Sequence, residues 1–151
     1  MNWDEYFLRM AETAALKSKD ESTKVGAIIV SADHKIVSTG FNDFPRGVQN
    51  KPERRERPLK YTFTIHAEQN AVIHSGRDNA IGCSIYVACI PNENGGGVPC
   101  AECAKSIINA GIKRIITRKF EWNEKHKKTW WDSIQYSKQM FEEAGVELIY
   151  V

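Results

Sequence analysis

Two short segments constrain the fold most tightly: His66-Ala67-Glu68, and Pro99-Cys100-Ala101-Glu102-Cys103, with Cys100 lying 34 residues beyond His66. One imidazole and two thiols in C-x-x-C spacing form a ligand set for zinc. A catalytic zinc takes three protein ligands and keeps a fourth position open, whereas a structural zinc closes all four. The chain must therefore bring two distant segments to one point. His66 opens a helix predicted over about 66 to 75, and Cys100 and Cys103 sit on the first turn of one predicted over 101 to 110. The ligands then converge where helix N-termini meet, and the positive end of a helix favours the thiolate, the form that binds metal. Glu68 lies two residues beyond His66. On a regular helix it is turned away by about 200° and does not ligate the same ion, though an irregular first turn lets it reach the bound water, which leaves it either as a proton shuttle or as an acid that complements the helix dipole.

Helical and strand patterns alternate around these segments. A helix is predicted near residues 3 to 19, with Asn2 as its cap, Glu5 at the capping-box position and Trp3, Phe7, Met10 and Ala14 as one apolar stripe. Val25 to Val30 is a short branched run, and Ile36 to Phe41 returns beside it across an Asp33-His34 turn, predicting a hairpin. Residues 42 to 64 carry three prolines, many charges and no sustained period, and read as a long connection. After the helix of 66 to 75, closed by Gly76, come a strand over Cys83 to Cys89, a flexible excursion over Asn92 to Gly97, the helix of 101 to 110 stopped by Gly111, and a strand over 112 to 117. A helix over 129 to 144, ended by Gly145, and a strand over 146 to 151 complete the pattern. The order αββαβαβαβ predicts an α/β fold, one mixed sheet covered by helices on both faces. With 151 residues, 42% hydrophobic and 26% charged, the expectation is a single domain over residues 1–151.

Net charge is +2, from 21 Lys+Arg against 19 Asp+Glu, so the chain lacks the basic excess of a general nucleic-acid binder. The charge is local, in stretches from Arg46 to Lys60 and from Lys113 to Lys128, both flanking the ligand segments. A small anionic substrate accounts for them economically. No run approaches the roughly 18 apolar residues of a membrane span, and the first residues lack a signal-peptide pattern, so a cytoplasmic location (host cytoplasm if the source is viral) is expected. In that compartment four cysteines favour metal over disulfides, with Cys83 and Cys89 as plain buried thiols. His34, His74 and His126 are expected to stay outside the chemistry.

The ligand motif, H-x-E followed by P-C-x-x-C, is the known signature of zinc nucleobase deaminases. Together with Ser22-Thr23-Lys24-Val25-Gly26-Ala27, Gly40-Phe41-Asn42-Asp43-Phe44-Pro45-Arg46-Gly47, His66 to Ala71, Gly82 to Ala88 and Pro99 to Ile112, it resembles the zinc-dependent cytidine and deoxycytidylate deaminases, and more narrowly the dCMP deaminase branch. The likeness covers most of the chain. It implies hydrolysis of dCMP to dUMP and ammonia on a three-layer αβα sandwich with a five-stranded mixed sheet. It also implies one zinc per chain on His66, Cys100 and Cys103, Glu68 as proton shuttle, the Ala67 N–H on the pyrimidine carbonyl and Asn42 on the deoxyribose. The phosphate falls to one or two of Arg46, Arg54, Arg55, Arg57 and Lys60, where a forked guanidinium suits bidentate contact. Phe120 and Trp122 either stack on the base or pack against the last helix. Trp130 and Trp131, adjacent on that helix, cannot both face inward. A homo-oligomer, a hexamer by resemblance, and control by dCTP and dTTP complete what the likeness implies.

Three departures from the family pattern stand out. Where the family commonly has Gly-Tyr-Asn-Gly in a regulatory loop, this chain has Gly40-Phe41-Asn42-Asp43, a carboxylate opposing a triphosphate. Residues 43 to 65 contain neither Cys nor His, which removes a second, structural zinc. Residues Asn92 to Val98 are inserted before Pro99, bordering the metal segment. Other readings of the motif are deaminases acting on dCTP, 5-substituted dCMP, tRNA or single-stranded DNA, the last two wanting an extended basic groove. A non-enzymatic zinc module would need a fourth ligand, for which Cys83 and Cys89 are the nearby candidates.

Overall fold

In the computed structural model, which describes residues 1–93 and 96–151, the Asn2 side chain accepts a hydrogen bond from the Glu5 N–H at 2.8 Å and starts helix α1 (Trp3–Ala15). The buried face of α1 is Phe7, Leu8, Ala11 and Ala15, one residue round from the predicted stripe. Trp3 is 53% exposed and stacks on His34 with ring centroids 4.2 Å apart. The helix stops four residues short of 19 because the next segment makes its hydrogen bonds elsewhere. Ser18 donates to the Asn42 carbonyl at 2.7 Å, and Asp20 accepts from the N–H groups of Ser22 and Thr23.

Strands β1 (Lys24–Val30) and β2 (Ile36–Phe41) form the predicted antiparallel hairpin. The connection that follows is not without structure: it holds a 3-10 turn (Pro52–Arg55) and a short helix α2 (Leu59–Phe63), and its end is tied to its start by an antiparallel bridge between Asp43 and Ile65. Then come α3 (Ala67–Ser75), β3 (Ser84–Ile90), α4 (Ala101–Asn109), β4 (Arg114–Thr117), α5 (Glu124–Ala144) and β5 (Glu147–Tyr150). Helix α5 begins at Glu124, not at 129, because Asn123 supplies a cap, accepting from the Lys125 N–H at 2.9 Å, and the lysine-rich first turn stays largely in solvent.

The sheet order is β2-β1-β3-β4-β5, antiparallel across β2-β1-β3 and parallel across β3-β4-β5. Alternate residues of each strand face opposite layers, as the two-residue period of a strand requires. Ile28, Val30, Tyr86, Ala88 and Ile116 meet α1 on one face, while Ala27, Ile29, Ile85, Val87 and Ile115 meet α3, α4 and Phe141 of α5 on the other. This is the three-layer αβα arrangement. Among the described residues no helix is long and apolar enough to cross a membrane.

One contact fixes how deeply α3 seats on the sheet. A Cβ at Gly40 of β2 would lie 2.3 Å from the Ala67 carbonyl oxygen and 2.6 Å from the Ala71 nitrogen. Only a residue without Cβ lets the start of α3 approach the strand this closely. Ser38 donates to the Ala71 carbonyl at 2.6 Å and Asn70 to the Phe41 carbonyl at 2.8 Å, locking the register of helix on strand.

Candidate active site

His66 is the residue before the first turn of α3, with extended backbone (φ −77°, ψ 154°), and Cys100 holds the same place before α4 (φ −68°, ψ 171°). This is the irregular start that Glu68 needs to reach the same point as His66. Because His66 is not itself helical, the 200° offset of an ideal helix does not apply, and His66 and Glu68 line the same cleft. Cys103 is the third residue of α4, and a cap residue shares a face with the third helical position, the relation that capping boxes use. Helix geometry alone therefore aims both thiols at one point.

The three ligand atoms lie within 4.8 Å of one another. His66 Nδ1 is 3.3 Å from Cys103 Sγ and 3.5 Å from Cys100 Sγ. The Cys103 thiol beside it, with help from His66, pulls the Cys100 thiol down to about 4, while the hydrogen bond to Cys100 and burial push Cys103 up. The hydrogen bond with Cys100 raises the His66 imidazole to about 9. One imidazole nitrogen and two sulfurs thus converge on a single point. Such a donor set suits a soft cation at that point and fits zinc. Among the described residues no further His, Cys, Asp or Glu joins the cluster, which leaves three protein ligands and one zinc per chain.

Glu68 is 6% exposed, and burial raises its carboxyl above the ordinary range against the opposing pull of His66. A buried carboxyl shifted upward is suited to taking and returning protons near neutral pH. Ala67, the first helical residue of α3, is fully buried beside it in the cleft. Its N–H is one of the first-turn donors that have no partner within a helix.

The cleft above these residues is walled by Val25, Asn42, Arg57, Lys60, Tyr61, Val87, Cys89, Gly96, Gly97, Val98, Trp130 and Ile134, among others. Asn42 is buried, and its side chain accepts from the Val25 N–H at 2.8 Å and donates to the Thr23 carbonyl at 3.0 Å. An amide has two N–H donors and one acceptor oxygen, so a buried Asn at the cleft wall can serve both the backbone and a ligand. Cys83 and Cys89 are both buried, as expected, but Cys89 also faces the cleft, where burial pushes its thiol up to about 12.

Several expected contacts are not brought to the cleft. Arg54 lies over the Phe63 ring at 4.3 Å and donates to the Gln49 carbonyl, while Arg55 lies over Phe44 at 4.1 Å and donates to the Asp43 carboxylate at 2.8 Å. Both guanidinium groups are engaged in holding the connection together. Arg46 is exposed in the turn after Pro45 and does not line the cleft. The cations that do are Arg57 and Lys60. Lys60 is buried against Asp20 at 2.8 Å, whereas Arg57 is exposed and donates to the Tyr61 hydroxyl at 2.8 Å.

Of the two roles expected for Phe120, stacking on the base or packing, its position matches packing: it does not line the cleft. The insertion is pinned to the strand ends, with the Gly97 N–H donating to Thr117 Oγ1 at 2.9 Å and Asn92 Nδ2 to the Lys119 carbonyl at 2.7 Å. A Cβ at Gly97 would sit 2.2 Å from the Val87 carbonyl, so this glycine lets the insertion lie against β3. Phe120 backs Gly96 from outside and packs on Trp122 and Tyr150, while Gly96, Gly97 and Val98 present themselves to the cleft. Of the insertion, Asn94 and Gly95 lie outside the described residues. The aromatic residues that do line the cleft are Tyr61 and Trp130. Trp130 and Ile134 both fall within the helix predicted over 129 to 144, and their four-residue spacing places them on one face of α5.

Residues 1–119 match the family model of the cytidine and deoxycytidylate deaminase zinc-binding region. An Aliivibrio fischeri protein named an uncharacterized deaminase in the luxG 3′ region is 40% identical over 149 residues, covering 99% of this chain and 93% of its own length. Human deoxycytidylate deaminase is 38% identical over 152 residues, covering 97% of this chain and 78% of its own. The crystal structure of a dCMP deaminase from cyanophage S-TIM5 in apo form superimposes with a TM-score of 0.68 at 26% identity, covering 98% of this chain and 96% of that one. Since the matched region contains all three converging ligands and the buried carboxylate, and the likeness extends over the αβα fold that positions them, this chain belongs to the cytidine and deoxycytidylate deaminase family.

Proposed function

We propose that the chain is a single-domain zinc hydrolase that converts dCMP and water to dUMP and ammonia in the cytoplasm, supplying a precursor of thymidylate. The observation that carries this reading is the convergence of His66, Cys100 and Cys103 beside buried Glu68, at the floor of a cleft with Arg57 on its wall. His66, Cys100 and Cys103 would hold the zinc, which would lower the pKa of a bound water towards about 7. Glu68 accepts a proton from the attacking water and delivers it to ring nitrogen N3. It then takes the second proton of the added water and gives it to the amine as the C4–N bond breaks. The Ala67 N–H bonds the pyrimidine carbonyl and fixes the ring over the floor, and the Asn42 side chain takes a sugar hydroxyl. Arg57 carries the phosphate in place of Arg46, Arg54 and Arg55, since its guanidinium faces the cleft with a hydroxyl, not a carboxylate, as its close partner.

The assembly follows the family as a homo-oligomer, a hexamer in the first instance, and light scattering that returned only monomer would remove this part of the reading. Control by dCTP or dTTP would act at the loop of Asp43. There the carboxylate is neutralised by Arg55 at 2.8 Å, and a triphosphate would have to compete for that arginine. The deciding assay incubates zinc-loaded protein with dCMP, dCTP, deoxycytidine and a single-stranded oligonucleotide and follows ammonia. Release from dCMP foremost is expected. Glu68→Gln, with zinc still bound, lowers turnover by about 10³-fold, within the usual range for removing a general acid–base; full turnover in that variant would sink the mechanism.

A further inference from the structure

The zinc-binding region matched by the family model spans residues 1–119, and one wall of the cleft is built from beyond it. Trp130 and Ile134 of α5 line the cleft together with His66, Ala67 and Glu68. Of the two adjacent indoles, Trp130 is the one turned inward. Its ring centroid is 6.3 Å from that of His66 at 68° and 6.0 Å from that of Tyr61 at 84°. Trp131 points the other way, against Trp122 at 5.5 Å and under the Lys127 ammonium at 4.8 Å. The helix that carries Trp130 is anchored directly to the metal-ligand helix, since Ser133 accepts the Ala101 N–H at 2.9 Å. Ile134 and Ser137 on the same face are buried, so the backbone under Trp130 is held by packing.

Given the deaminase reading above, on which this step rests, we infer that Trp130 is a substrate-binding residue that contacts the planar base. The argument is one of surfaces. A planar heterocycle whose reacting carbon sits over the His66 and Glu68 floor must lie against whatever wall rises beside His66. That wall is the indole, held by edge-to-face contacts with the Tyr61 and His66 rings. Aromatic contact stabilises any base through its π-face, so Trp130 holds the ring while Ala67, Asn42 and Arg57 set its orientation. The residue lies beyond the zinc-binding region matched by the family model, so the zinc motif by itself does not point to it.

The test separates base from sugar-phosphate. Full-length, zinc-loaded wild type, Trp130→Phe and Trp130→Ala are titrated with dUMP and with 2-deoxyribose 5-phosphate, and zinc content, KM and kcat on dCMP are measured alongside. Trp130→Ala is expected to weaken dUMP and raise KM about tenfold, the lower part of the range for losing one base–aromatic contact. Affinity for 2-deoxyribose 5-phosphate stays within about twofold, zinc content is unchanged, and Trp130→Phe recovers most of the loss. Equal weakening of both ligands, unchanged dUMP affinity or loss of zinc in Trp130→Ala overturns the inference, the last by reducing Trp130 to a support for His66. Should Trp130→Ala not fold, dUMP titrated into wild type and Trp130→Phe decides by fluorescence: quenching that disappears in Trp130→Phe supports the contact, and quenching that persists overturns it. A wild type that neither turns over dCMP nor binds dUMP defeats the deaminase reading itself, and the inference with it.

Discussion

Arg57 and Lys60 stand three residues apart on one connection, and a single carboxylate separates their roles. Lys60 donates to Asp20 and to Ser22 Oγ in a site where the two charged side chains are 10% and 5% exposed. Arg57 keeps its guanidinium at the cleft with a phenol and a serine hydroxyl as neighbours. Arg57→Ala is expected to raise KM for dCMP about tenfold and leave deoxycytidine unaffected, the loss of one charge-assisted contact to phosphate; an equal effect on both substrates would place the phosphate elsewhere. Lys60→Met should cost about 3 kcal/mol in denaturant unfolding at neutral pH, because it leaves a buried carboxylate unpaired. Burial works to raise the Asp20 carboxyl, but Lys60 and the Thr23 and Ser22 N–H groups outweigh it and hold it below its ordinary 3.8. The pair's contribution is therefore complete above 3.8 and is lost as pH falls through the lower folded value. The gap between wild type and Lys60→Met narrows over that same acidic window, and a gap constant down to pH 2 would contradict the assignment.

At the scale of elements, the ligands depend on how closely three helices approach one another and the sheet. Gly40 lets α3 sit against β2, and Ser133 of α5 caps α4. Gly40→Ala drives a methyl into the Ala67 carbonyl, which strand and helix can relieve only by separating. A loss of about 3 kcal/mol is expected, at the upper end for overpacking. Because Ala67 lies between His66 and Glu68, kcat should fall with stability; an active variant of wild-type melting temperature would show that α3 tolerates the shift. Element identity was largely legible from sequence. Strand runs, the hairpin turn and the helix-ending glycines Gly76, Gly111 and Gly145 are local signals. Element edges were not: α1 ends early because Ser18 bonds Asn42, and α5 starts early because Asn123 caps it. The first partner lies 24 residues away, beyond the reach of any local pattern.

At the scale of the molecule, the cleft gathers residues from β1, β3, α2, α3 and α5 and from the loops before β1, after β2 and before α4. Zinc joins α3 to α4 at its floor. Stripping it with a chelator should abolish ammonia release and lower the melting temperature by roughly 5 °C, as expected when a ligand that binds only the folded state is withdrawn; both return when zinc is added back. An unchanged melting temperature after verified removal would mean that packing alone fixes the two helix starts.

The ligand triad and Glu68 were determined by the sequence, because metal chemistry admits few residue types and a C-x-x-C at a helix start points both thiols one way. The alternation of branched strands and helices likewise determined the layers. Tertiary structure alone decided which cation, which aromatic ring and which end of the inserted loop reach the cleft. Arginines at 46, 54, 55 and 57 look equivalent along the chain. Only folding brings Asp43 to Arg55, Phe63 under Arg54, Asp20 to Lys60 and Trp130 beside His66. Each of these partners lies between 9 and 64 residues away in sequence, and a side chain's role is set by the partner that folding brings to it.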